Sequence, residues 1–113
     1  MRQIIPLAAL LGALGWAGAA CAADAPIQIT LRDHVFTPSE VHVISGKPTW
    51  LEITNADTTA DEFESGILAI EKIVPAGTHV RVRLRPLAPG RYAFMGEFHA
   101  ETAQGTIIAD PAP

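Results

Sequence analysis

From residue 27 onward, apolar positions recur at every second residue, in short runs separated by turn residues. Such alternation is the mark of half-buried strands rather than helices. Ile27-Gln28-Ile29-Thr30-Leu31 opens the series, and Val41-His42-Val43-Ile44 follows before the turn Ser45-Gly46-Lys47-Pro48. Trp50-Leu51-Glu52-Ile53-Thr54 ends at Asn55-Ala56-Asp57, and further strands are expected over residues 61–65 and 68–74 before the turn Pro75-Ala76-Gly77. Val80-Arg81-Val82-Arg83-Leu84-Arg85 carries its valines and leucine on one side and three arginines on the other. Pro86 to Gly90 turns the chain into Arg91-Tyr92-Ala93-Phe94-Met95, and Thr106-Ile107-Ile108-Ala109 closes the series. Many short strands at this spacing predict an all-β sandwich or barrel.

The N-terminus follows a different pattern. Arg2 precedes an almost wholly apolar stretch from Ile4 to Ala20, which ends in the small residues Ala19-Ala20-Cys21-Ala22-Ala23. This order predicts a secretory signal peptide over residues 1–23, cleaved near Ala22 or Ala23. The apolar run is marginal for a bilayer span and no stop-transfer pattern follows it. Lipidation at Cys21 is a weaker fit, because Gly18 stands where a lipobox has a larger aliphatic residue. The expectation is one exported domain over residues 24–113, with no membrane span in the mature chain.

Cys21 is the only cysteine, so the mature domain has neither a disulfide nor a thiolate metal ligand. Counting Arg2 out leaves seven basic against twelve acidic residues, a net charge of −5. That balance argues against nucleic acid or an anionic membrane surface as partner and is compatible with cations.

The densest candidate chemistry lies in Gly96-Glu97-Phe98-His99-Ala100-Glu101-Thr102-Ala103-Gln104-Gly105. If this stretch is extended, period-2 geometry puts Glu97, His99 and Glu101 on one face. Glu62 and Glu64 flank Phe63 at the same spacing. Carboxylates with one imidazole suit hard or borderline ions, ferrous, ferric, cupric or manganous. Alternating glutamates also describe a solvated face, and that is the simpler reading for Glu101 and Asp61 alone. Phe63 and Phe98 are expected to point inward, Met95 to be packed or half-exposed, and His34, His42 and His79 to be surface or turn residues. No nucleophile motif, phosphate-cradling loop or zinc-type histidine pair is present, so any catalysis would be metal redox chemistry.

The order of these signals resembles a cupredoxin. Phe36-Thr37-Pro38, Val41-His42-Val43, Gly46-Lys47-Pro48 and Ile53-Thr54-Asn55 look like its first half, and Pro75-Ala76-Gly77 with Leu87 to Phe94 like its second. The resemblance implies a Greek-key β-sandwich. More narrowly, Glu62-Phe63-Glu64 and Glu71-Lys72 resemble the EfeO-type cupredoxin-like domains of bacterial iron uptake, nearest to the small stand-alone cupredoxin of Ftr-type systems. This implies a periplasmic component binding iron or copper beside an inner-membrane iron permease and a periplasmic iron-binding protein. It also implies that the Glu62 segment and the Gly96–Gly105 loop meet, making Glu62, Glu64, Glu97, His99 and Glu101 the candidate ligands. Blue copper needs two histidines and a thiolate. Here Gly96-Glu97 stands where the thiolate is due, and Asp61-Glu62-Phe63-Glu64 where the first histidine is due. A non-blue copper electron carrier and a metal-free docking module are the alternative readings, and the Arg81, Arg83 and Arg85 stripe offers either an outer sheet face or a surface for an acidic partner.

Overall fold

The computed structural model describes residue 3 and residues 25–113. The expected signal peptide and Cys21 therefore lie outside the described residues. Nine strands follow in order: β1 Ile27–Arg32, β2 Val35–Thr37, β3 Glu40–Ile44, β4 Thr49–Asn55, β5 Asp61–Ser65, β6 Ile70–Val74, β7 His79–Leu84, β8 Gly90–Gly96 and β9 Gln104–Asp110. They form a four-stranded sheet, β2-β1-β4-β7, packed on a five-stranded sheet, β3-β9-β8-β5-β6. The chain crosses between the sheets after β2, β3, β4, β6 and β7, as a Greek-key sandwich requires.

Alternation decides which side of each strand is buried. Val41 and Val43 of β3, Leu51 and Ile53 of β4, and Phe63 of β5 all turn into the space between the sheets. Phe36 from the smaller sheet meets Phe63 and Phe94 from the larger one, with ring centroids 6.1 and 5.2 Å away. Burying such apolar surface is the main stabilising term of the sandwich.

Two local devices set the site. β1 and β2 join through Asp33 and His34 alone, both with positive φ (52° and 59°), which is a type I′ hairpin turn. The second device is the buried amide of Asn55, which donates to the carbonyls of Thr59 (2.9 Å) and Val74 (3.0 Å). That clamp fixes the loop feeding Asp61 at the start of β5.

The stretch from Gly96 to Gly105 departs from the extended form expected of it. Glu97–His99 is a single 3-10 turn. The Gly96 amide bonds to the Ala103 carbonyl and the Ala103 amide to the His99 carbonyl, closing a compact loop before β9. Ala103 is buried at its base. With about three residues per turn, positions two apart face away from one another, so the common face expected for Glu97, His99 and Glu101 does not form. Phe98, expected in the core, is 53% exposed for the same reason. No helix among the described residues is long and apolar enough to cross a membrane.

Candidate metal centre

β5 is buried on one side and open on the other, and this parity sorts its acidic residues. Phe63 and Ser65 face the core together with Asp61, while Glu62 and Glu64 face outward. Across the strand pairs, Ile73 lies opposite Glu62, and Glu71 and Met95 lie opposite Glu64. Cross-strand partners share a face, so these residues surround the two glutamates on the outer surface of the larger sheet. β8 ends at Gly96, opposite Phe63, and the 3-10 turn then swings Glu97 over β5. Glu62, Glu64 and Glu97 thereby place one carboxylate oxygen each within 4.8 Å of the others.

Like charges this close resist ionising together. The Glu62 carboxyl is held above the usual carboxylate range, first by a hydrogen bond with the Glu97 carboxyl, then by desolvation and by the charges of Glu97, Glu71 and Glu64. Glu64 is raised by desolvation first, then by the charge of Glu97 and a hydrogen bond to it, and by Glu71. Because both groups take up protons more readily when folded, their contribution to stability is full below the unfolded glutamate value of about 4.3 and is lost as pH rises through the raised values. The metal-free protein should therefore lose stability across mildly acidic pH relative to a Glu62→Gln/Glu64→Gln variant. Urea unfolding of both proteins between pH 4 and 7 measures this, and parallel stability curves would contradict it.

On the core side of the β5 backbone lies a second group, Asp61, His34 and His99. The Asp61 side chain is 2% exposed. Its Oδ1 accepts the amides of Glu62 (2.8 Å) and Phe98 (3.0 Å), and its Oδ2 lies 2.9 Å from His99 Nδ1. The His99 ring stacks on His34, centroids 3.6 Å apart and planes 10° from parallel. His34 is held in its turn by Asp57, whose carboxylate accepts the amides of Asp33 (2.6 Å) and His34 (3.0 Å). Burial raises the Asp57 pKa, but those two amide bonds and the nearby imidazoles outweigh it and leave the carboxyl below its usual range. Imidazole nitrogens direct their lone pairs in the ring plane. Two rings stacked nearly parallel cannot both aim at one ion, so this group reads as a structural clasp.

The five candidate residues thus separate. Glu62, Glu64 and Glu97 converge, His99 turns to the opposite side of β5 and engages Asp61, and Glu101 sits in the exposed turn beyond it beside His34 and Phe98. His34 is the turn residue expected, yet its packing against His99 was not foreseen. Asp61 is buried rather than solvated.

Comparison with known proteins places the fold. Residues 3–109 match the family described as cupredoxin-like domain. An uncharacterized protein of Rickettsia prowazekii is 45% identical over 84 residues, spanning 74% of this chain and 67% of that protein. Among solved structures, the metal-binding domain of the Streptococcus pneumoniae Cu(I)-exporting P-type ATPase CopA, with Cu(I), superposes with a TM-score of 0.68 at 16% identity, over 75% of this chain and 84% of that one. A reduced amicyanin variant gives 0.63 at 17% identity, over 78% and 85%. A purple cupredoxin from Nitrosopumilus maritimus gives 0.54 at 17% identity, over 74% and 99%. At these identities the structures establish the shared sandwich.

Proposed function

Because the chain belongs to the cupredoxin-like domain family, we propose that it is a thiolate-free metal-binding member of it, holding iron or copper on Glu62, Glu64 and Glu97. The observation that carries this reading is the convergence of three carboxylates from β5 and the 3-10 turn on one exposed spot. An all-oxygen donor set suits hard cations, manganous, magnesium and calcium ions first, and iron enters the reading through the family resemblance. A blue copper site does not fit these residues. A Cβ at Gly96 would lie 2.6 Å from Asp61 Oδ2 and 2.8 Å from the Ala103 Cβ, leaving no room for a cysteine side chain.

The residues' own chemistry follows from the raised carboxyls. The proximity of Glu97 and Glu64 holds the Glu62 carboxyl above its usual range, and a bound cation relieves that repulsion. Binding favours the ionised forms of Glu62 and Glu64, so affinity rises with pH. The cation, when bound, supplies the compensating charge and, for iron or copper, a one-electron couple. Copper is a specific second candidate at the same spot because Met95, 39% exposed, offers a thioether opposite Glu64.

In biological terms we assign the protein to periplasmic iron uptake, taking up, oxidising or passing on iron beside an inner-membrane permease and a periplasmic iron-binding protein. The resemblance of Glu62-Phe63-Glu64 to EfeO-type domains supports this. A cation that binds only the folded chain stabilises it by RT ln(1 + [L]/Kd), about 2.7 kcal/mol at one hundred times Kd. Urea unfolding with anaerobic ferrous iron, manganous or cupric ion should show that gain, and the copper-loaded protein should show no intense thiolate-to-copper absorption. No stabilisation by any of the three ions would overturn the reading.

A further inference from the structure

Asp61 is a buried carboxylate that the metal reading leaves without a task. We infer that it is the positioning residue of the carboxylate centre, the group that holds Glu97 against Glu62 and Glu64. The inference rests on the proposed function for its metal arm and on geometry alone for the rest.

The two segments carrying the candidate ligands are far apart in sequence and joined by little backbone pairing. β5 and β8 pair only at Phe63–Gly96 and Glu64–Met95. Beyond Gly96 the chain leaves the sheet, so no ladder bond orders Glu97. Asp61 Oδ1 takes over that role. A single oxygen accepts the amide of Glu62, which carries one ligand, and the amide of Phe98, which follows another. The Gly96 amide, bonded to the Ala103 carbonyl at 2.8 Å, fixes the other flank of Glu97. Glu97 is thus pinned by one bond before it and one after it.

The other oxygen of Asp61 explains the histidines. Its bond to His99 Nδ1 and the stack of His99 on His34 lock the carboxylate in place from the β1–β2 turn. Gly96 belongs to the same device, because only a residue without Cβ lets the Asp61 carboxylate approach this backbone. Where a thiolate would close a copper site, the chain carries a hydrogen-bonded hub that organises a carboxylate site on the opposite side of the same strand.

Outer-shell partners of metal ligands are typically worth 10–100-fold in affinity. Asp61→Ala should weaken Mn²⁺ binding by about that factor, while Asp61→Asn, which keeps an oxygen for both amides, stays near wild type. In a Glu97→Ala background, Asp61→Ala should cost much less than it does alone, since most of its effect runs through Glu97. Amide hydrogen exchange of the metal-free protein provides an arm independent of metal. The Phe98 amide should be protected in wild type and Asp61→Asn and exposed in Asp61→Ala. Should Asp61→Ala fail to fold, Gly96→Ala, whose methyl displaces the carboxylate, is expected to give the same two losses. Full additivity with Glu97→Ala, or a Phe98 amide equally protected without Asp61, would overturn the inference. Wild-type protein that binds none of manganous, ferrous and cupric ion would sink the metal reading, while the exchange result would still decide the role of Asp61.

Discussion

Phe94→Ala is expected to lower the unfolding free energy by about 3–5 kcal/mol. Phe94 is 2% exposed and joins the two sheets. Its ring meets Phe36 edge-on at 5.2 Å and Phe63 at 4.9 Å. Its cross-strand partner is Gly105, and a Cβ added there would fall onto the Phe94 ring. The ring therefore fills space that the partner strand leaves empty, and alanine would open a cavity that β9 cannot close. Domains of this size have about 5–15 kcal/mol in all, so the variant should be marginal at room temperature. Urea unfolding checks this, and a loss below about 1 kcal/mol would show that the core repacks around the gap.

The second large effect is on metal affinity. Glu97→Ala should weaken binding of ferrous or cupric ion by more than about 100-fold, beyond what outer-shell changes cost. It removes one of the three carboxylates that converge there among the described residues. Glu101→Ala should leave affinity unchanged, because that side chain lies on the far side of the loop. His99→Ala should fall between them, since His99 acts on Asp61 and through it on Glu97. Competition against a chromophoric chelator ranks the three variants. Equal losses for Glu97 and His99 would mean that the imidazole turns to join the carboxylates as a ligand.

The sandwich was legible in the chain because period-2 alternation and turn residues act locally. Residues 61–65 and the arginine-striped β7 lie within a residue of their expected bounds. β2 was hidden because three residues are too few to display a period. The loop after β8 misled for a physical reason: Glu97, His99 and Glu101 keep strand-like spacing, yet the fold spends Gly96 and Ala103 on closing a turn. Spacing alone does not distinguish an extended face from a 3-10 turn.

The candidate site was half legible. Glu62 and Glu64 take their outward face from the same alternation that sends Phe63 inward. By that parity Asp61 shares the face of Phe63, so its burial was readable from the pattern that identified the core. The His34–His99 stack was not readable, because it joins residues 65 positions apart through two turns whose meeting only the tertiary fold decides. Likewise, which side of β5 each member of the Glu97–His99 pair would take depended on the turn, not on its composition.

The most direct measurement is an anaerobic calorimetric titration of the wild-type protein and of a Glu62→Gln/Glu64→Gln/Glu97→Gln variant with ferrous iron at neutral pH. One ion bound per wild-type chain with release of protons, and no binding by the variant, is the predicted result. Equal binding by both proteins, or none by either with ferrous and then with cupric ion, would contradict a carboxylate metal centre on this sheet.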